Sequence, residues 1–136
     1  MVAAVIIRDK KLLLARNIKK GVRLEPPGGK VNEGEVLEDA VVREAMEEMG
    51  RDVVVKSLVG TYETDTPEGG FDVNLFFCDM EGDPIEGLEP GKIGGFEWLT
   101  FDELADLAEK NAAGDLSVTL VPNVIAALPE LSRYLV

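Results

Sequence analysis

The chain contains no histidine among its 136 residues. That absence excludes Ser-His and Cys-His nucleophilic catalysis, histidine-ligated zinc and an imidazole general base. Chemistry here must run on carboxylates, lysine, tyrosine or metal-bound water. Cysteine is nearly absent too: Cys78 stands alone. No intrachain disulfide can form, which agrees with a reducing cytoplasm, and Cys78 reads as a half-buried strand thiol rather than a nucleophile. Long hydrophobic runs are missing. Stretches such as Val2 to Ile7 fall far short of the ~20 residues that span a bilayer, and no secretory signal pattern is present, so no membrane partner is expected. Repeats, low-complexity tracts and linkers are absent as well. Positive charge is scarce, with 14 Lys and Arg against 26 Asp and Glu. A net charge of −12 argues against nucleic-acid binding through the phosphate backbone.

What is present fits one globular domain over residues 1–136, with 46% hydrophobic and 29% charged residues and length enough for one core. The scarce cations are unevenly placed. Residues 1 to 23 hold Arg8, Lys10, Lys11, Arg16, Lys19, Lys20 and Arg23 against Asp9 alone, a local balance of +6. Such a flank can guide a phosphorylated small molecule, with Arg23 as a candidate substrate-binding residue; ordinary surface lysines on a hairpin account for the same residues equally well.

The acidic residues concentrate on one helix. From Val36 to Met49 there is no Gly or Pro, which predicts about four turns. At 100° per residue, Glu44 falls midway between Glu47 and Glu48, so the three carboxylates share one sector. Val42, Ala45, Met46 and Met49 point to the other side and are expected to bury against a sheet. Carboxylates at i, i+3 and i, i+4 repel by a few tenths of a kcal/mol per pair, so a positive group is expected on that face. Mg²⁺ or Mn²⁺ suits such a cluster, and the turn Pro26-Pro27-Gly28-Gly29 lets a carbonyl such as that of Gly28 approach as a neutral ligand. A plain solvated acidic face is the alternative.

From Gly29 onward the pattern reads Gly, five residues, Glu35, seven residues, Arg43-Glu44, Ala45, one residue, Glu47-Glu48, one residue, Gly50. This stretch resembles the signature box of the Nudix hydrolases, and the chain looks like a small MutT-like member. Ala45 and Arg51 depart at packing positions where bulkier aliphatics are usual, and Val36 stands where Ser or Thr would cap the helix better. The resemblance implies an α/β (α+β) sandwich, helices on both faces of a mixed sheet. It assigns Glu44, Glu47 and Glu48 to metal binding, with one of them as general base. It also implies that Arg43 orients the carboxylates, Glu35 braces the loop and the Gly28 carbonyl adds a ligand. In Glu89-Pro90-Gly91-Lys92, Glu89 resembles the residue by which many relatives supply one more carboxylate.

Elsewhere, Val2–Ile7 and Leu12–Ala15 read as strands joined at Asp9-Lys10-Lys11, and residues 17–21 as a basic loop. Val53–Tyr62 reads as a central strand, and Thr64–Gly70 as a turn. Along Phe71–Met80, Phe71, Val73, Leu75 and Phe77 share a core face; Asn74 and Phe76, on the other, are candidates for a base pocket. Ile93–Leu99 is a further strand in which Trp98 packs. Thr100 and Glu103 form a capping box for a helix to about Lys110, and Thr119–Leu128 reads as a last helix with Pro122 in its first turn.

The implied activity is Mg²⁺- or Mn²⁺-dependent hydrolysis of a nucleoside triphosphate to the monophosphate and pyrophosphate by metal-activated water, with an oxidised nucleotide such as 8-oxo-dGTP among the candidates. ADP-ribose or nucleoside-diphosphate-sugar hydrolysis is the runner-up; Pro67, 16 residues past the box, resembles a proline of ADP-ribose hydrolases. A non-catalytic nucleotide sensor is the reading from another class. Monomer and homodimer both remain open.

Overall fold

The computed structural model describes residues 1–66 and 69–136; Pro67 lies outside the described residues. In chain order the elements are β1 (Val2–Val5), β2 (Ile7–Arg8), β3 (Lys11–Asn17), β4 (Val22–Glu25), β5 (Gly28–Gly29), α1 (Leu37–Met49), β6 (Val53–Thr66), β7 (Gly69–Met80), β8 (Ile93–Leu99), α2 (Phe101–Ala112), β9 (Val118–Leu120) and α3 (Pro122–Leu135).

The expected first strand is split. β1 belongs to a sheet of order β5-β1-β7-β6, while β2 joins a second sheet of order β2-β3-β4-β9 in which β8 also pairs with β3. The chain changes sheets at Ile6, 2% exposed, whose carbonyl accepts from the Leu13 N–H. The hairpin is where it was expected. Asp9 and Lys10 both take positive φ, 54° and 60°, the geometry whose twist suits a two-residue turn. Both sheets are mixed: β1 pairs in parallel with β7, and β4 with β9.

Strand alternation sends side chains to two cores. Val2 and Ala4 of β1, with Phe76 and Cys78 of β7, pack with Ala40, Val41, Ala45 and Met49 of α1. Ala3, Val5, Val73 and Leu75 pack instead with Leu104 of α2 and with Val124, Ala127, Leu131 and Leu135 of α3. Helices therefore cover both faces of mixed sheets, the expected α+β arrangement. Thr100 and Glu103 form the capping box of α2, whereas Val36 stands at the α1 N-cap without a side-chain cap bond.

Several expectations need correcting. β6 is an edge strand, not a central one: in its sheet it pairs with β7 alone, and Val54 and Leu58 are exposed. β-branched content does not separate an edge from a centre when one face is covered. The ladder between β6 and β7 runs on to Thr66 and Gly69, where a turn from Thr64 was expected. Thr119 lies in β9, and α3 begins at Pro122 and passes through Pro129. The lost N–H of Pro129 is outweighed by burial of Leu131 and Leu135 on the far side of it. Both faces of β7 are covered: Phe76 is 5% exposed beneath α1, while Phe71 is 40% exposed at the strand's open end. On α1, Met46 is exposed, and the buried stripe is Ala40, Val41, Glu44, Ala45, Glu48 and Met49. Glu44 and Glu48 thus turn inward, a rotation that shapes the site.

Cys78 is fully rather than half buried, and burial pushes its thiol pKa up to about 12, with Asp79 adding to the rise. A disulfide reagent such as DTNB is expected to leave the native thiol unmodified near neutral pH and to label it once denaturant is added. Stoichiometric labelling of the folded chain within seconds would contradict this placement.

Candidate active site

The inward rotation of α1 is possible because β5 has no side chains. A Cβ at Gly29 would lie 2.5 Å from the Glu44 carboxylate, and one at Gly28 would collide with the Val2 carbonyl and with Ala3. The glycine pair therefore lets β5 pair with β1 and leaves room beneath the helix for two carboxylates. Glu44 is 8% and Glu48 3% exposed. The Gly28 N–H donates to Glu48 Oε1 at 2.7 Å, partly offsetting the cost of burying that charge.

Arg43 joins the loop before α1 to the helix carboxylates. Its Nε and Nη2 donate to the two oxygens of Glu35 at 2.8 and 2.9 Å, the two-point pairing that guanidinium geometry favours. Nη2 also donates to the Lys30 carbonyl at 2.9 Å. Nη1 reaches Glu44 Oε1 at 3.0 Å and Glu47 Oε1 at 3.2 Å. Glu35 further accepts from the Asn32 N–H. The Arg43 bonds, with that N–H second, hold the Glu35 carboxyl down at about 2; Glu35 in turn holds the Arg43 guanidinium above its usual range, against a smaller desolvation effect. Glu47 remains half exposed on the outer side.

A second cation stands on the other side of the cluster. Lys92 Nζ lies 3.1 Å from Glu89 Oε2 and 3.8 Å from Glu48 Oε2. Even so, burial dominates at Glu48 and raises its carboxyl to about 8, against the opposing pull of Lys92 and the Gly28 N–H. A carboxylate so reluctant to ionise is one short of positive charge.

Beside this cluster opens a cavity of about 670 Å³, of the size that takes a small ligand. Gly28, Gly29 and Glu44 line it, as do the cations Lys19, Arg23, Lys30 and Lys92. Thr64, Phe71, Val73, Val121 and Asn123 complete much of the lining. Arg23 is thus brought to the cavity, its Nε held by Glu25 at 3.0 Å. Asn74 and Phe76 do not line it. Asn74 is engaged with Thr61 at 2.7 Å and the Met1 carbonyl at 3.3 Å, and Phe76 is packed beneath α1. Sequence reasoning missed Asn123, which is 5% exposed at the start of α3. Among the described residues its Oδ1 and the Thr64 Oγ1 are buried without a hydrogen-bond partner, and both residues line the cavity. A buried orphan acceptor costs about 1–3 kcal/mol, which makes Asn123 a candidate ligand-binding residue. The only trace in the sequence is a polar residue inside the otherwise apolar run Leu120-Val121-Pro122-Asn123-Val124-Ile125.

The residues present fit a hard divalent cation. Glu44, Glu47 and Glu48, with Glu89 and the Gly28 carbonyl, are oxygen donors of the kind Mg²⁺ and Mn²⁺ select, and the Lys92 ammonium already stands between two of them. Among the described residues no three carboxylates enclose a common point; Arg43, Lys92 and the Gly28 N–H stand against their oxygens.

Comparison with known proteins follows the same lines. A family model described as the NUDIX domain matches residues 1–120. Over 145 aligned residues the chain is 30% identical to a Bacillus subtilis protein provisionally named 8-oxo-dGTP diphosphatase, covering 96% of this chain and 93% of that one. It is 37% identical over 100 residues to a Methanocaldococcus jannaschii protein named ADP-ribose pyrophosphatase, covering 70% of this chain and 59% of that protein. In structure it is similar to a NUDIX hydrolase from Nitrosomonas europaea, with a TM-score of 0.77 and 26% identity over 97% of this chain and 86% of that one.

The state of Glu48 sets a stability profile. Its pKa is about 8 in the folded chain against an ordinary 4.5, so between these the folded state binds more protons than the unfolded. Its stabilising share is present below pH 4.5 and lost as pH rises through 8. Glu35 titrates between about 2 and 4.5 and is constant over that window. In chelator-containing buffer, the free energy of unfolding is expected to fall between about pH 5 and pH 8, with Glu48→Gln flattening the fall by on the order of a few kcal/mol. An equally steep fall in the variant would assign the titration to another group.

Proposed function

The chain belongs to the Nudix family of hydrolases, and on that premise we propose that it is a Mg²⁺- or Mn²⁺-dependent pyrophosphohydrolase that converts a nucleoside triphosphate to the monophosphate and pyrophosphate. One observation carries this reading: a single cavity joins the box carboxylate Glu44, four cations and a buried orphan acceptor on Asn123. Those three parts suit the metal, the phosphates and the base of a nucleotide in turn. The reading treats residues 1–136 as one catalytic unit, since α3, beyond the matched family segment, brings Asn123 to the same cavity.

Glu44, Glu47 and Glu48 would hold the divalent ion, with the Gly28 carbonyl and Glu89 completing the donor set. When bound there, such an ion supplies water activation and charge neutralisation at a pyrophosphate. Arg43 holds Glu44 and Glu47 in place and, through Glu35, fixes the loop that leads to them. Glu44 and Glu48 are largely shielded from bulk water, and in such surroundings electrostatic interactions are stronger. The box carboxylates also provide the proton acceptor. Lys19, Arg23 and Lys30 offset the charge of the phosphates, and Asn123 with Thr64 presents hydrogen-bonding groups to the base. An oxidised purine nucleotide is the favoured substrate, supported by the name of the Bacillus subtilis relative; ADP-ribose is the second reading, supported by that of the archaeal one.

Incubation with Mg²⁺ and a panel of nucleoside triphosphates, 8-oxo-dGTP, ADP-ribose and diadenosine polyphosphates is expected to release monophosphate and pyrophosphate from a triphosphate. Glu47→Gln should slow that release by roughly 10²–10⁴-fold while the fold persists. Turnover of ADP-ribose alone would overturn the triphosphatase assignment, and binding without turnover across the panel would identify a sensor.

Asn123 gives a separate test. Asn123→Leu removes the orphan acceptor, so the ligand-free chain should gain about 1–3 kcal/mol of stability or remain unchanged, whereas KM for the preferred nucleotide should rise by roughly 10–100-fold. A loss of stability with KM unaltered would make Asn123 a packing residue.

A further inference from the structure

We propose that Lys92 is a displaceable counter-ion: its ammonium pairs with Glu89 and stands beside Glu48 until a divalent cation takes over those carboxylates, and it then turns into the cavity it lines to bind a phosphate of the substrate. This rests on the metal-binding reading of the box carboxylates.

The segment from Glu89 to Ile93 shows how the residue is mounted. The Lys92 and Ile93 N–H groups both donate to the Glu89 carbonyl, at 3.2 and 3.0 Å, with Gly91 at φ 84° between them. That tight turn places the side chains of residues 89 and 92 against each other. The Lys92 carbonyl accepts from the Ile18 N–H at 2.9 Å, which ties the backbone to the end of β3. The backbone is therefore fixed, and the side chain is the part able to move.

The two cations among the carboxylates are held differently. Arg43 is locked by the two oxygens of Glu35, by Glu44 and Glu47, and by the Lys30 carbonyl. Among the described residues the Lys92 ammonium lies 3.1 Å from Glu89 and 3.8 Å from Glu48, the latter longer than a hydrogen bond. A compact ammonium on a flexible stem exchanges partners readily, unlike a forked guanidinium. Its side chain is 30% exposed and lines the cavity with Lys19, Arg23 and Lys30. Charge completes the argument. A divalent ion that binds Glu48 and Glu89 as carboxylates satisfies both and leaves the ammonium surplus beside a cavity suited to phosphates.

The test is a Mn²⁺ titration without nucleotide, read from the electron paramagnetic resonance signal of the free ion, on the unmutated chain, Lys92→Met and Lys92→Gln. Removing the competing ammonium should tighten Mn²⁺ binding by about tenfold, within the usual range for coupled sites, and lower Tm in chelator but not in saturating Mn²⁺. With Mn²⁺ saturating, pyrophosphate should bind about tenfold more weakly to both variants than to the unmutated chain. Unchanged or weaker Mn²⁺ binding in the variants would overturn this role and leave the metal reading standing. Tighter Mn²⁺ with unchanged pyrophosphate binding would overturn the phosphate role. Failure of the unmutated chain to take up Mn²⁺ would remove the metal reading and this one with it.

Discussion

The structure depends on how it accommodates carboxylates on the packed side of a helix. Glu48 is 3% exposed, and a buried unpaired carboxylate costs several kcal/mol. Each neighbouring feature reduces that cost. The Gly28 N–H donates to it, the glycine pair makes room, Lys92 approaches from the loop before β8, and Arg43 restrains the carboxylates beside it. The compensation is incomplete, because the Glu48 carboxyl remains near 8. Selection for stability alone favours a leucine at such a position. Charge kept where the fold disfavours it is a sign of chemistry.

The fold supplies rigid elements on every side of this cluster. β1 runs between β5 and β7 at the centre of its sheet, so the Gly28–Gly29 segment is fixed against a fully buried strand. α1 rests on that sheet through small residues, Ala40 and Ala45 among them, which brings its axis close enough for Glu44 and Glu48 to reach beneath it. Ala45, small where the family pattern has a bulkier aliphatic, is compatible with that approach. Asn111 braces the segment between α2 and α3: its amide donates to the carbonyls of Asp115 and Val118, and its Oδ1 accepts from the Leu120 N–H. Those bonds set the path of β9 into α3, and hence the position of Asn123.

What is legible in the sequence is what is local. The spacing of Arg43, Glu44, Glu47 and Glu48 lies within one helix, so periodicity alone puts them on a shared sector, and the capping box of α2 is likewise contained in four residues. What is not legible depends on partners distant in the chain. Helical periodicity gives the relative angles of Met46, Glu44 and Glu48 but not which of them faces the sheet. That choice is made by β5, a strand without side chains, which accepts carboxylates and gives them an N–H. Asn123 and Thr64 come from α3 and β6, and their common orphan status is a property of three-dimensional packing. Phe76 shows the converse: alternation assigns it to the face away from Val73 and Leu75, and only the placement of α1 turns that face into core.

A strongly acidic chain that is to bind a polyanion faces an apparent conflict, and distance resolves it. Screening at physiological salt limits exposed charges to a range of about 8–10 Å, so much of the net −12 on the remote surface has little influence inside the cavity. Within that range the cations lining it, Lys19, Arg23, Lys30 and Lys92, outnumber the lining carboxylates Glu25 and Glu44. Both of those are paired, Glu25 with Arg23 and Asn17 and Glu44 with Arg43. The field a phosphate meets is therefore set by a local balance of these cations against Glu25, Glu44 and the Glu48 and Glu89 beside Lys92, whereas the acidic exterior favours solubility and disfavours nucleic acid. Sequence charge sums these two populations and hides the division, and on the proposed reading it is the division that would let acidic metal ligands and an anion share one opening.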